Sequence, residues 1–100
     1  MGKYEIKIYA VAKKDLLDIV DYVNTLSPGA AVNLYISIVE KIGTLTEMPE
    51  RCALVKDNNL RIKGYRVLIV ENYLVFFVIK GNTVGIRRII YAKRNFSWLV

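Results

Sequence analysis

Histidine is absent from the 100 residues of this chain. That absence removes the usual general base, the usual nitrogen ligand for a metal and any Ser-His-Asp triad at once. The single cysteine, Cys52, excludes an intramolecular disulfide and fits a reducing compartment. With no ligands clustered around it, Cys52 reads as an inert thiol, not as part of a zinc site. A glycine-rich phosphate loop and a CxxC pair are missing too, and the acids are spread too thinly to form a carboxylate dyad. Glu40 and Glu47 are expected in solvent. No apolar run approaches the ~18 residues of a membrane span, and the N-terminal segment lacks the apolar stretch of a signal peptide. A cytoplasmic protein with no membrane partner, no metal and no cofactor is expected.

Acidic residues are also scarce in one half. Residues Arg51 to Val100 carry ten Lys/Arg against two acids, whereas Met1 to Glu50 carry five against seven. A half of net charge +8 is thus joined to one of −2, which points to a polyanion or an acidic protein as the partner of the second half. With 54% hydrophobic and 24% charged residues, the chain suits one folded domain over residues 1–100.

Periodicity orders the elements. Tyr4, Ile6 and Ile8 alternate with Glu5 and Lys7, which predicts a strand over Tyr4 to Tyr9. Ala12, Leu16, Ile19, Val20 and Val23 share a helical face, predicting a helix over about Ala12 to Asn24. Ser27-Pro28 then offers a cap and a first turn to a second helix, whose stripe is Ala31, Leu34, Tyr35, Ile38, Ile42 and Leu45 and which ends before Met48-Pro49. Residues 50 to 63 show no sustained period and, with Asp57-Asn58-Asn59, read as a loop. Three strands follow: Tyr65 to Val70, Tyr73 to Ile79, and Val84 to Tyr91, joined at Glu71-Asn72 and Gly81-Asn82. The run from Tyr73 to Ile79 is apolar on both faces and fits a central strand. The fold class is α+β: an N-terminal strand, a two-helix hairpin and a three-stranded antiparallel meander. The first strand sits at an edge of a four-stranded sheet, with the helices packed on one face.

The chemistry left to such a chain lies in arginine, lysine and tyrosine. Arg61, Lys63, Arg66, Arg87, Arg88, Tyr91, Lys93 and Arg94 gather toward the strands of the basic half. Guanidinium forks hold phosphate and stabilise charge at a pentacoordinate phosphorus, and tyrosine stacks on bases or exchanges a proton. The competing reading is that these residues solvate strand ends, with their stems over apolar neighbours. Period two places Arg87 with Ile89 and Tyr91, and Arg88 with Val84, Ile86 and Ile90, a core-like set. Arg87 with Tyr91 is therefore the better functional pair. Trp98 is expected either to pack on the fold or to anchor a partner.

The order of elements, with Ala12-Lys13-Lys14-Asp15-Leu16, Gly64-Tyr65-Arg66, Asn72-Tyr73 and the ending Arg88-Ile89-Ile90-Tyr91-Ala92-Lys93-Arg94, resembles the RelE/ParE superfamily of type II toxins. The resemblance covers nearly the whole chain. It implies a growth-arresting toxin neutralised by a cognate acidic antitoxin. Two mechanisms occur in that superfamily: inhibition of DNA gyrase in the ParE type, and ribosome-dependent mRNA cleavage in the RelE and YoeB type. In the cleaving type a catalytic arginine follows the tyrosine that opens the central strand; here Leu74 follows Tyr73. The long regular hairpin is also more ParE-like, so gyrase inhibition is the expected function. The alternative is a ribonuclease acting on the translating ribosome with mRNA, with Arg94, Tyr91, Arg87 and Arg66 as its catalytic set. A further alternative is a non-catalytic module binding nucleic acid or a partner through Arg61, Lys63, Arg66, Arg87, Lys93 and Arg94.

Overall fold

The computed structural model describes residues 3–93. Strand β1 (Glu5–Ile8) alternates exposed and half-buried positions, as its sequence pattern requires. Helix α1 (Ala10–Leu26) extends two residues beyond the expected helix at each end and buries Ala12 and Leu16. Ser27 separates it from α2 (Pro28–Gly43). The Ser27 Oγ accepts a hydrogen bond from the Ala30 N–H at 3.3 Å, and Pro28 stands in the first turn, where its missing N–H costs nothing. The inward stripe of α2 is Ala31, Leu34, Ile38 and Ile42.

Helix α2 stops at Gly43, and single 3-10 turns at Thr44–Thr46 and Pro49–Arg51 carry the chain onward. Arg51 fastens these turns: its Nη1 donates to the carbonyls of Glu47 at 2.9 Å and Met48 at 3.2 Å, and its Nη2 to Thr44 Oγ1 at 2.8 Å. The segment expected to be all loop contains a short helix, α3 (Asn58–Ile62). Asp57, which reads as a turn residue, is its cap, with Oδ1 accepting from the Leu60 N–H at 3.2 Å. Such a helix is too short to register as a period.

Strands β2 (Arg66–Val70), β3 (Tyr73–Lys80) and β4 (Thr83–Tyr91) form the antiparallel meander, and β1 adds parallel to β4, giving the order β1-β4-β3-β2. The hairpin packs on one face, where Leu16, Leu34, Ile38 and Ile42 meet Val75, Phe77, Val84, Ile86 and Ile89. On the other face α3 and the chain before it set Val55 and Leu60 over Phe76 and Ile90. β3 is therefore covered on both sides over its middle, in keeping with its unbroken apolar run.

The pairing of β3 with β4 contains a bulge. Phe76 pairs with Arg88 and Phe77 with Ile86, so Arg87 is the extra residue of β4. Strict period two therefore fails along this strand. Val84, Ile86 and Ile89 share the helix face, and Ile90 lies on the opposite one. The expected pairing of Arg87 with Ile89 and Tyr91 is corrected accordingly, since one inserted residue reverses the parity of everything after it.

Candidate functional site

The bulge gives two adjacent arginines different tasks. Arg88 reaches α1, where its Nε and Nη2 donate to the two carboxylate oxygens of Asp15 at 2.7 and 2.9 Å. Asp15 also accepts the backbone N–H of Ile89 at 2.9 Å. The parallel ladder of β1 ends at Ile8 opposite Ile86, so beyond it the β4 edge lacks a strand partner, and the Asp15 carboxylate takes that place. Both side chains are largely shielded, at 21% and 14% exposure, and the hydrogen bond to Asp15 raises the Arg88 pKa further above its usual range. Arg87 instead lies on the face away from the hairpin, its guanidinium carbon 4.6 Å from the Tyr9 ring centroid and 5.9 Å from that of Tyr65. Among the described residues its Nε is buried without a hydrogen-bond acceptor.

The other candidates fall in separate places. Arg66 pairs with Phe77 in register and so lies on the helix side of the sheet. Its Nη1 donates to the carbonyls of Cys52 at 2.6 Å and Glu50 at 3.2 Å, which ties the chain after α2 to the edge strand. Tyr4 adds to that tie, its hydroxyl donating to Glu50 Oε2 at 2.6 Å. This bond holds the Glu50 carboxyl below its usual range and raises the Tyr4 hydroxyl above its own. Arg61 and Lys63 are exposed at the end of α3, and Lys93 is exposed in the turn after β4. Tyr91 pairs with Tyr73, their rings 5.7 Å apart, and both line a concavity of about 610 Å³ with Asp18, Tyr22 and Leu26 of α1. Burial, and then the neighbouring Tyr91, raises the Tyr73 hydroxyl. Tyr91 and Arg87 thus occupy opposite faces. Arg94 and Trp98 lie outside the described residues.

A second surface is apolar. Between β1, α1 and α2 runs a groove of about 480 Å³ lined chiefly by Ile6, Ile8, Leu16, Leu17, Tyr35 and Val39, with Lys13 at its side. Leu17 is 57% exposed there, and Val11, Val32 and Ile36 extend the exposed apolar surface along the hairpin. No group of three or more potential metal ligands occurs among the described residues.

The family model of the ParE toxin of type II toxin-antitoxin systems, parDE, matches residues 6–96. The chain belongs to this family. It is a ParE-type toxin with the α+β architecture of the RelE/ParE superfamily. Among solved structures it is similar to a chain of the chromosomal ParDE system of P. aeruginosa, with a TM-score of 0.77 and 26% identity over 91% of this chain and 98% of that one. A chain of the RelBE2 toxin-antitoxin complex of Mycobacterium tuberculosis shares the fold, with a TM-score of 0.63 and 23% identity over 93% of this chain and 97% of that one. No curated protein sequence matches the chain.

For this ParE-family toxin the Ala-x-x-Asp-Leu word acquires a physical meaning: Ala12 and Leu16 are core residues, and Asp15 between them is the clamp on Arg88. Sequence reasoning passed over Asp15 because an acid on an amphipathic helix reads as solvated. It also passed over Lys7 and Tyr9, which lie in the acidic half of the chain. The Lys-x-Tyr spacing puts both near one strand end, but only the parallel pairing with β4 carries them to Arg87.

Proposed function

We propose that this toxin arrests growth by inhibiting DNA gyrase and is neutralised by a cognate antitoxin whose amphipathic segment covers the groove between β1 and the hairpin. The observation that carries the first part is the dispersal of the residues a ribonuclease would need. Arg66 is committed to the Glu50 and Cys52 carbonyls, and Arg87 and Tyr91 stand on opposite faces of the sheet. Transition-state stabilisation requires charged donors preorganised around one reacting phosphorus, and these three cannot reach one. Membership of the ParE family and Leu74 in place of an arginine after Tyr73 point the same way.

Support for the antitoxin comes from the neighbours, which are toxin-antitoxin systems by their own descriptions. The groove suits it too: an amphipathic helix buries apolar residues spaced three and four apart, and its acidic flank would face Lys13. No helix among the described residues is long and apolar enough to cross a membrane, and a gyrase target places the toxin in the cytoplasm.

The deciding experiment exposes purified gyrase to the purified toxin in a supercoiling assay and, in parallel, maps 5′ ends of an mRNA translated in its presence. Loss of supercoiling or trapped DNA breaks with intact mRNA is the expected result. In-frame mRNA cuts that vanish when translation is blocked, with gyrase unaffected, would reverse the assignment to the ribonuclease type.

A further inference from the structure

The face of the sheet turned away from the hairpin is closed by α3 over β2 and the middle of β3, but open over β1 and the adjoining ends of β3 and β4. The open part holds a concavity of about 240 Å³ lined by Lys7, Tyr9, Val78, Lys80, Gly85 and Arg87, with Thr83 at its edge. Parallel pairing sets Lys7 opposite Gly85. Gly85 leaves the floor open: a Cβ there would come 3.1 Å from Tyr9 Cε1, 3.7 Å from the Tyr9 hydroxyl and 3.6 Å from Arg87 Nε. The Tyr9 ring fills that space and holds two cations by its face, Lys7 Nζ at 5.0 Å and the Arg87 guanidinium at 4.6 Å. Cation–π contacts position a charge without neutralising it. The acid on this face of β1 is Glu5, opposite Thr83, and among the described residues it forms no ion pair with Lys7, Lys80 or Arg87.

We infer that this cradle is a phosphate-binding site, and that its ligand is a phosphodiester of a nucleic-acid backbone. Three positive charges, the Tyr9 hydroxyl and the Thr83 hydroxyl approach from two strands and a hairpin end, so donors converge from several directions. That arrangement fits the tetrahedral oxygens of a phosphate better than the two coplanar oxygens of a carboxylate. Stacking on the Tyr9 ring holds the Arg87 side chain to the sheet, and its Nε has no acceptor among the described residues. Arg87 is spared for this because the bulge assigns its neighbour to Asp15. The positive surface continues past Val78, whose Cγ1 lies 3.9 Å from the Cβ position of Gly64, to the exposed Lys63 beside it. A further cation beyond the cradle suits a repeating anion. The apolar groove opens between β1 and the hairpin, on the helix side of the sheet, so a helix seated there leaves the cradle uncovered. Such contacts fix position on a nucleic acid but carry no base sequence.

The test needs no gyrase, so it stands or falls apart from the proposed target. Inorganic phosphate is titrated against labelled toxin by amide NMR, and a short DNA duplex by fluorescence anisotropy between about 50 and 200 mM salt. The proteins are the wild type, Lys7→Gln with Lys80→Gln, and Arg87→Gln. Phosphate should shift the amides of Lys7, Tyr9, Gly85 and Arg87. The double variant, altered only at exposed side chains, should bind duplex about two- to fivefold more weakly for each cation removed. Its log–log salt slope should fall by about 0.9 per lost contact. Phosphate shifts at these residues with no variant-sensitive duplex binding assign the site to a free phosphate or nucleotide instead. An unchanged slope in the double variant together with no shift at these residues overturns the site. Variants that lose only antitoxin affinity overturn it in favour of an acidic peptide.

Discussion

On the helix side of the sheet Val75, Phe77, Val84, Ile86 and Ile89 are sealed from water, and the one arginine of β2 on that side, Arg66, is paired with backbone carbonyls. On the far side the sealed cluster lies under α3, and beyond it the strands present Lys7, Lys80 and Arg87 around Gly85 and the buried Val78. The contrast is sharpest at two adjacent residues. Arg88 is paired bidentately with a carboxylate 73 residues away in sequence, whereas Arg87 rests on tyrosine rings with no carboxylate among the described residues. Identical chemistry serves stability in one case and leaves charge available in the other. A bulge of one residue decides which.

The largest effect should come from breaking the paired member. Asp15→Ala takes the carboxylate from a shielded guanidinium and the acceptor from the Ile89 N–H together, and should cost about 3 kcal/mol by chemical denaturation, because both groups keep their desolvation cost and lose this partner. Arg87→Gln, one residue away, should cost about 1 kcal/mol or less, the scale of its ring contacts. Equal losses for the two would erase the distinction drawn between them. Next in size is Gly85→Ala. The new methyl meets Tyr9 Cε1 at 3.1 Å, so the ring must yield, at about 1 kcal/mol and with weaker phosphate binding.

The smallest effect is the pH dependence. Cys52 and Tyr73, raised mainly by burial, and Tyr4, raised by its bond to Glu50, titrate above their ordinary 9.0, 10.0 and 10.0. Their stabilisation is complete below about pH 9 and is lost as pH climbs through the raised values. Glu50 is lowered from 4.5, so its share is complete above that pH and fades as acid brings it through the lowered value. Urea midpoints measured against pH should decline on both sides, and Tyr4→Phe should flatten the acid limb.

Much of the fold was legible because its rules are local. Period two gave β1, the stripes gave α1 and α2, Ser27-Pro28 marked the break between them, and the two hairpin turns fell where Glu71-Asn72 and Gly81-Asn82 stand. Helix α3 was missed because one turn leaves no period, although Asp57 before Leu60 carried the capping signal. The site was less legible. Arg66 reads as a candidate site cation, yet it closes a loop by donating to carbonyls, as Arg51 does, a pairing invisible without the chain path.

Composition and pattern alone determined an α+β fold without histidine chemistry and with its positive charge in the second half, because burial of apolar faces is periodic and charge is additive. Tertiary structure alone decided that β1 runs parallel to β4, that Arg87 and Tyr91 face apart, and that Lys7 from the acidic half joins Arg87. The first and last depend on register between segments about eighty residues apart, and the second on a bulge against the neighbouring strand. A single inserted residue reverses such a register while leaving each segment's own pattern intact.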